Sequence, residues 1–155
     1  MSTLLTLTKT QPQRILVEGE TLTRPGEHSG ELYILEFGRL AVVREGVTIA
    51  TITEPGSIIG EMSVLLGVDH SATVRAETES TIRVIADPIA FMERSPLVAL
   101  HVATLACARL NATSALLVEL RKQMDVKAKE QGLLSRIFAA MVIQEPKKGG
   151  WATHE

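Results

Sequence analysis

Residues 55–76, PGSIIGEMSVLLGVDHSATVRA, bring together a turn, a glycine, a carboxylate and two hydroxyl groups in an order that could hold a small anion. Gly60 would let the backbone approach a ligand closely. The short helix expected after Glu61 would present unpaired backbone N–H groups, which favour an anion. Ser71 could donate one further hydrogen bond to a phosphate oxygen. The alternative is purely structural: Glu61 caps its own helical turn and Ser71 ends a turn.

Short strands are the elements that must position this loop. Between residues 14 and 87, short apolar runs alternate with glycine turns, which is typical of an all-β unit. Eight such runs predict a small barrel or jelly-roll-like β-roll, followed by helices. The predicted strands span residues 14–17, 21–23, 32–37, 40–44, 48–53, 57–59, 72–77 and 81–86.

The sequence from Pro88 onwards has a helical pattern. PIAFMERSP predicts a short helix with proline in its first turn, and Ser95 is a candidate cap for a long helix that begins at Pro96. A helix over 97–127 would be about 45 Å long, which exceeds what a small roll can cover. Its apolar stripe therefore predicts a second chain packed against it, or else a lid folded over its own roll. The stripe comprises Leu97, Leu100, Leu105, Ala108, Ala112, Ala115, Leu116 and Leu120.

The predicted organisation has four parts. Residues 1–13 form an N-terminal extension, and residues 14–95 form the β-roll with its short helix. Residues 96–128 form the long helix. Residues 129–155 contain a short helix at 132–143 and a loose tail.

Composition excludes several classes of function. The net charge of −2 gives no basic excess for a nucleic-acid surface. A single cysteine, Cys107, excludes an internal disulfide and favours a reducing compartment, so we expect a cytoplasmic protein. No signal peptide and no membrane helix are expected. The four histidines lack metal-ligand spacing and no catalytic motif is present, so we expect no enzyme activity, metal or cofactor.

Three stretches together resemble the cyclic-nucleotide-binding domain family: GELYILEFGRLAVV at 30–43, EPGSIIGEMSVLLG at 54–67 and HSATVRA at 70–76. ACARLNATSALLVEL at 106–120 is similar to the dimer helix of catabolite-activator-type members. The resemblance implies cAMP or cGMP as ligand, a homodimer through 97–127, and a protein partner for output. Too few residues follow residue 128 for the DNA-binding domain of those members, so no direct DNA binding is expected.

The resemblance also implies a set of ligand-binding residues. In the family the glutamate matching Glu61 binds the ribose 2′-hydroxyl. The positions that match Thr113 and Ser114 reach the purine, although such hydroxyls often bond to the carbonyl four residues back. Carried over residue by residue, the site comprises Ile59, Gly60, Glu61, Met62, Ser63, His70, Ser71, Ala72, Thr73, Thr113 and Ser114.

His70 is the departure from the family pattern. The family has an arginine here, which clamps the cyclic phosphate with two charge-assisted hydrogen bonds. Neutral imidazole offers one N–H instead. The site could therefore bind its nucleotide without the clamp, or the fold could serve as a ligand-independent interaction or structural module. A sensor of another anion or of haem, with His70 or Cys107 as axial ligand, is a lesser alternative.

Overall fold

The computed structural model describes residues 3–124 and 128–143, with side chains described for all of these except 128–131 and 143. Its strands are β1 (Gln13–Leu16), β2 (Thr21–Thr23), β3 (Leu32–Phe37), β4 (Leu40–Arg44), β5 (Val47–Ile52), β6 (Ile58–Ile59), β7 (Thr73–Ala76) and β8 (Ser80–Ile85). Its helices are α1 (Thr3–Leu7), α2 (Glu61–Leu66), α3 (Pro88–Arg94), α4 (Pro96–Gln123) and α5 (Ala128–Ile143).

The strands form two four-stranded antiparallel sheets, in the orders β1-β8-β3-β6 and β2-β7-β4-β5. The predicted jelly-roll-like fold with C-terminal helices is therefore confirmed. Three of the predicted strands have the observed boundaries, and the other five differ by one residue at one or both ends. The β4–β5 hairpin closes at Glu45 and Gly46, whose φ angles are 52° and 78°, as a two-residue turn between twisted strands requires.

Strand β3 is buried on both faces, because alternate side chains point to opposite sides of a strand. Leu32 and Ile34 pack in the core beneath the helices. Tyr33 and Leu35 pack in the core inside the roll. β6 repeats this division at Ile58 and Ile59, one in each core. The start of α2, which follows β6 directly, is thus anchored between two packed layers.

Helix α1 lies within the segment that the sequence analysis treats as an extension. Leu4 and Leu5 are buried in the core beneath the helices, and α1 contacts α4. The Arg83 guanidinium donates to the carbonyl of Thr8 at 3.0 Å, which ties the end of this segment to β8. The segment predicted as an N-terminal extension therefore contributes Leu4 and Leu5 to the core.

Helix α3 begins as predicted, with Pro88 at its first position and the Asp87 carboxylate accepting from the Ala90 N–H at 3.2 Å. Ser95 does occupy the N-cap position of α4. Its side chain makes no capping hydrogen bond, however, so the predicted capping role of its hydroxyl is wrong.

Helix α4 has 28 residues and is about 42 Å long. Val98 and Val102 are its buried residues, packed on the core beneath the helices. Most of the stripe identified in the sequence is exposed; Leu100 and Leu116, for example, are 63% and 66% accessible. By length and mean hydropathy (1.2) alone this helix could cross a membrane, which is weak evidence for a span, and the expectation of no membrane helix stays a prediction.

Helix α5 begins four residues earlier than the predicted helix at 132–143 and ends where predicted. The Arg121 guanidinium of α4 lies 5.9 Å from the ring centre of Phe138 of α5, within the range of a cation–π contact. The loose tail predicted after residue 143 lies outside the described residues.

Candidate functional site

A cavity of about 280 Å³ opens between the β-roll and α4. Strands β2, β4, β5 and β7 contribute to its wall, α2 and the loop that follows it form one side, and Arg109 reaches it from α4. Thr73, Thr113 and Ser114 do not line this cavity. The predicted site residues that do line it are Ile59, Gly60, Glu61, Met62, Ser63, His70, Ser71 and Ala72.

Gly60 turns the chain from β6 into α2, with φ 89°. This left-handed conformation favours glycine. A Cβ added here would lie 3.0 Å from the carbonyl oxygen of Glu31 and 3.6 Å from Cε1 of His70. Glycine is therefore required both by the backbone angle and by the close approach of the β2–β3 loop and the imidazole.

The Glu61 side chain is almost fully buried, with 9% of its surface accessible. Its Oε1 accepts a hydrogen bond from Nη1 of Arg109 at 2.6 Å, and Nη2 of the same guanidinium donates to the carbonyl of Ile58 at 2.5 Å. Arg109 thus holds both the carboxylate and the backbone just before it. The counter-ion of Glu61 is therefore provided by α4 and not by its own loop. The N-cap position of α2 is occupied by Gly60, so the Glu61 side chain does not cap this helix.

Arg109 faces the roll because it continues the buried stripe of α4. Val98, Val102, Leu105 and Arg109 are spaced by four, three and four residues, which places them on one helix face. Arg109 is not among the site residues predicted from the sequence. The signal that could have found it is this spacing, which puts a cation one turn beyond three roll-facing apolar residues.

His70 is buried, with 8% of its surface accessible. Its backbone N–H donates to the Glu27 carbonyl and its own carbonyl accepts from the Gly26 N–H, both at 2.9 Å. Its Nε2 lies 2.9 Å from the Ser29 hydroxyl oxygen. Burial, and then the neighbouring His28, lower the pKa of His70 below its usual value, so the free protein holds a neutral imidazole here at pH 7.

Tyr33 supports this arrangement from behind Gly60. Its hydroxyl donates to a carboxylate oxygen of Glu31 at 2.7 Å, and burial raises its pKa to about 12. The β2–β3 loop, the His70 imidazole and Tyr33 therefore pack closely around Gly60 at the start of α2.

The hydroxyl groups of two predicted site residues form bonds within their own helix or turn. The Ser63 hydroxyl donates to the carbonyl of Val68 at 2.5 Å, which closes the turn after α2. The Thr113 hydroxyl donates to the Arg109 carbonyl four residues before it, at 2.9 Å. This is the local bonding that the sequence analysis gave as the alternative for Thr113.

The fold of the roll and its trailing helices is shared with solved regulatory proteins. The catabolite activator protein of Thermus thermophilus is similar over 90% of this chain and 86% of its own, with 22% identity and a TM-score of 0.64. A transcriptional regulator of Thermotoga maritima is similar over 77% of this chain and 98% of its own, with 19% identity and a TM-score of 0.64. The cAMP-bound structure of PfPKA-R is similar over 76% of this chain and 44% of its own, with 17% identity and a TM-score of 0.58.

The family model of the cyclic nucleotide-binding domain matches residues 13–88, which contain all eight strands and α2. This part of the chain therefore belongs to the cyclic nucleotide-binding domain family. The family resemblance identified from the sequence is confirmed.

Proposed function

We propose that this protein is a cytoplasmic regulatory domain that binds a cyclic nucleotide, cAMP or cGMP, in the cavity beside Glu61 and His70. The observation that carries the proposal is a buried carboxylate on the cavity wall, Glu61, held by Arg109 from a different helix. The cavity volume, about 280 Å³, is close to the lower end of the range for small-molecule sites, roughly 300 Å³. The similar structure that contains cAMP supports this class of ligand.

In the proposed complex, Glu61 accepts a hydrogen bond from the ribose 2′-hydroxyl. A carboxylate has two oxygens and several acceptor sites, so one bond from Arg109 leaves capacity for a second donor. The cyclic phosphate lies toward His70 and Ser71, which line the same cavity. Apolar side chains of β5 and β6 are available to contact the base and sugar.

The ion pair between Glu61 and Arg109 would relay ligand binding from the cavity to α4. Glu61 begins α2 and Arg109 lies on α4, so a ligand that changes their contact favours one arrangement of α4 over another. The output would pass to a partner protein. We propose α5 as the docking element, because Leu133 and Val142 are 60% and 84% exposed there.

One observation favours the second candidate function, a ligand-independent interaction module. The carboxylate of Glu61 is already paired with Arg109, and the imidazole of His70 is already bonded to Ser29. Polar side chains that already have hydrogen-bond partners need no ligand for stability. Binding experiments separate the two candidates directly.

Calorimetric titration of the full chain with cAMP and cGMP near pH 6 tests the proposal. We expect saturable binding, and stabilisation by about 2.7 kcal/mol when free ligand is one hundred times its Kd. 2′-Deoxy-cAMP should bind about tenfold more weakly, because Glu61 loses a charge-assisted hydrogen bond worth about 1.5 kcal/mol.

The matched variants are Glu61→Gln and, as the control, Glu79→Gln on an exposed residue. Glu61→Gln should bind cAMP more weakly and lose most of the discrimination against 2′-deoxy-cAMP, whereas Glu79→Gln should behave like the parent chain. Absence of binding at millimolar ligand, in the parent chain and in His70→Arg alike, would favour the ligand-independent module.

We further propose that a second copy of the chain covers the exposed apolar surface of α4. Leu97, Leu100 and Leu116 are each more than 60% exposed, and so many large apolar side chains on one helix mark an interaction surface. The chain should be a dimer at tens of micromolar by light scattering. Leu116→Glu should shift it to monomer, while Ile15→Glu on β1, with a similarly exposed side chain, should not. A parent chain that is monomeric at that concentration would contradict the proposal and favour α4 as a lid.

A further inference from the structure

The imidazole of His70 is held between two parts of the site rather than left in solvent. On one side it bonds to Ser29 of the β2–β3 loop, and on the other its Cε1 edge lies behind Gly60. Both backbone groups of His70 are bonded to that same loop. The ring also lines the cavity. Its protonation state therefore alters the cavity without any rearrangement of the backbone.

The fixed charges around the cavity sum to zero. Among the described residues that line it, the carboxylates are Glu61 and Asp69 and the guanidinium groups are Arg44 and Arg109. Arg109 is engaged with Glu61 at 2.6 Å. A cyclic phosphodiester carries one negative charge, so its entry gives the lining a net charge of −1 while His70 is neutral. Burying an unmatched anion is costly.

Other titratable groups face His70 from the packed elements. Glu27 and Asp69 favour a proton on the imidazole, and His28, which lies 3.7 Å from Asp69, disfavours one when it is itself charged. Tyr33 lies behind Gly60, and its hydroxyl is bonded to the Glu31 carboxylate. Burial outweighs the carboxylates in the free protein, and a bound phosphate would add a further anion beside the ring.

We propose that His70 is the proton-carrying anion ligand of this cavity, so that a cyclic nucleotide binds together with one proton. This inference rests on the proposed function. Protonated imidazole donates from both ring nitrogens, so it can keep the Ser29 contact and still offer a charged N–H to phosphate. The arginine of the family pattern is thereby replaced by a group that clamps phosphate only when it is charged.

The direction of the pH dependence follows from the two pKa values of His70. The pKa of His70 in the free protein lies below the ordinary value of 6.5. A phosphate bound beside the ring would raise the pKa of His70 in the complex. Between these two values the affinity increases about tenfold for each unit of pH decrease, because one proton is taken up with each ligand. The affinity for the cyclic nucleotide is constant at pH values below the pKa of His70 in the free protein and above its pKa in the complex.

The test is calorimetric titration of the full chain with cAMP and with cGMP at about pH 5.5, 6.5, 7.5 and 8.5, in two buffers of different ionisation enthalpy at each pH. The parent chain should lose about tenfold in affinity per pH unit over part of this range, with uptake of up to one proton. His70→Gln, which keeps a donor for Ser29 but cannot titrate, should bind weakly at every pH. His28→Gln should retain the pH dependence.

These titrations distinguish a failure of this inference from a failure of the proposed function. Binding by the parent chain with the same pH profile as His70→Gln, and without proton uptake, overturns this inference and leaves the proposed function standing. Loss of the pH dependence in His28→Gln assigns the proton to His28 and also overturns it. No binding at any pH by the parent chain or by His70→Arg overturns the proposed function together with the inference. Circular dichroism at each pH checks that both glutamine variants are folded.

Discussion

His70→Arg is expected to raise the affinity for cAMP by at least tenfold, and by about a hundredfold at pH 7.5. A bidentate pair between guanidinium and phosphate in a desolvated pocket is worth roughly 2–5 kcal/mol, and about 3 kcal/mol corresponds to more than a hundredfold in Kd. The gain should be largest at high pH, where the imidazole of the parent chain is neutral. Because guanidinium does not titrate, affinity for cAMP should become nearly independent of pH.

The matched control for this gain is His28→Arg. His28 lies two residues from Gly26 and Gly30 in the exposed β2–β3 loop and is close to Asp69, so the substitution adds the same charge near the site without entering it. Calorimetry should show less than a threefold change for His28→Arg. An equal gain in both variants would mean that general electrostatic attraction, and not a clamp, is responsible. No gain in His70→Arg would mean that the phosphate does not bind beside this position.

The β-roll could be predicted from the sequence because its signals are local. Glycine turns separate the strands, and alternating apolar residues within each strand fix which side is buried. The strands β2, β3 and β4 have the predicted boundaries. β2 is centred on Leu22, and the apolar runs LYILEF and LAVVR form β3 and β4 between glycine-containing turns. The site residues between Ile59 and Ala72 came from the family resemblance instead, and all eight of them line one cavity.

The contacts between distant segments could not be predicted from local patterns. Nothing adjacent to His70 in the sequence indicates that Ser29, 41 residues earlier, is its partner. Arg109 interrupts an apolar helix in the sequence, which suggests a solvated charge until the packing of α4 on the roll is known. Helix α1 is short and its apolar residues lack a long periodic pattern, so Leu4 and Leu5 give no signal that they complete the core.

Breaking the pair between Arg109 and Glu61 is expected to lower the free energy of unfolding and also to weaken the packing of α4 on the roll. Arg109→Met keeps the length of the side chain but leaves a nearly buried carboxylate without its counter-ion. Loss of one partner of a fully buried pair costs about 3–5 kcal/mol. Because the Arg109 side chain is 43% exposed, solvent screening reduces the expected loss in the free energy of unfolding to about 1–2 kcal/mol. Urea unfolding measures it.

A double-mutant cycle separates the ion pair from the packing. Glu61→Gln in the Arg109→Met background removes the uncompensated charge, so the double variant should recover about 1 kcal/mol relative to Arg109→Met alone. The control is Arg14→Met, which breaks a pair of similar length, 2.7 Å to Glu20, between more exposed side chains. It should cost less than about 1 kcal/mol.

Hydrogen exchange then tests whether this pair couples the cavity to α4. Arg109→Met should increase amide exchange in α4 after Leu105, where the Arg109 guanidinium bonds to Glu61 and to the Ile58 carbonyl, while the protection of β3 and β8 should stay at the parent level. The same destabilisation with uniform loss of protection would mean that Arg109 stabilises the whole domain. In that case a ligand that alters Glu61 could not act selectively on α4, and the proposed relay would have to run through another contact.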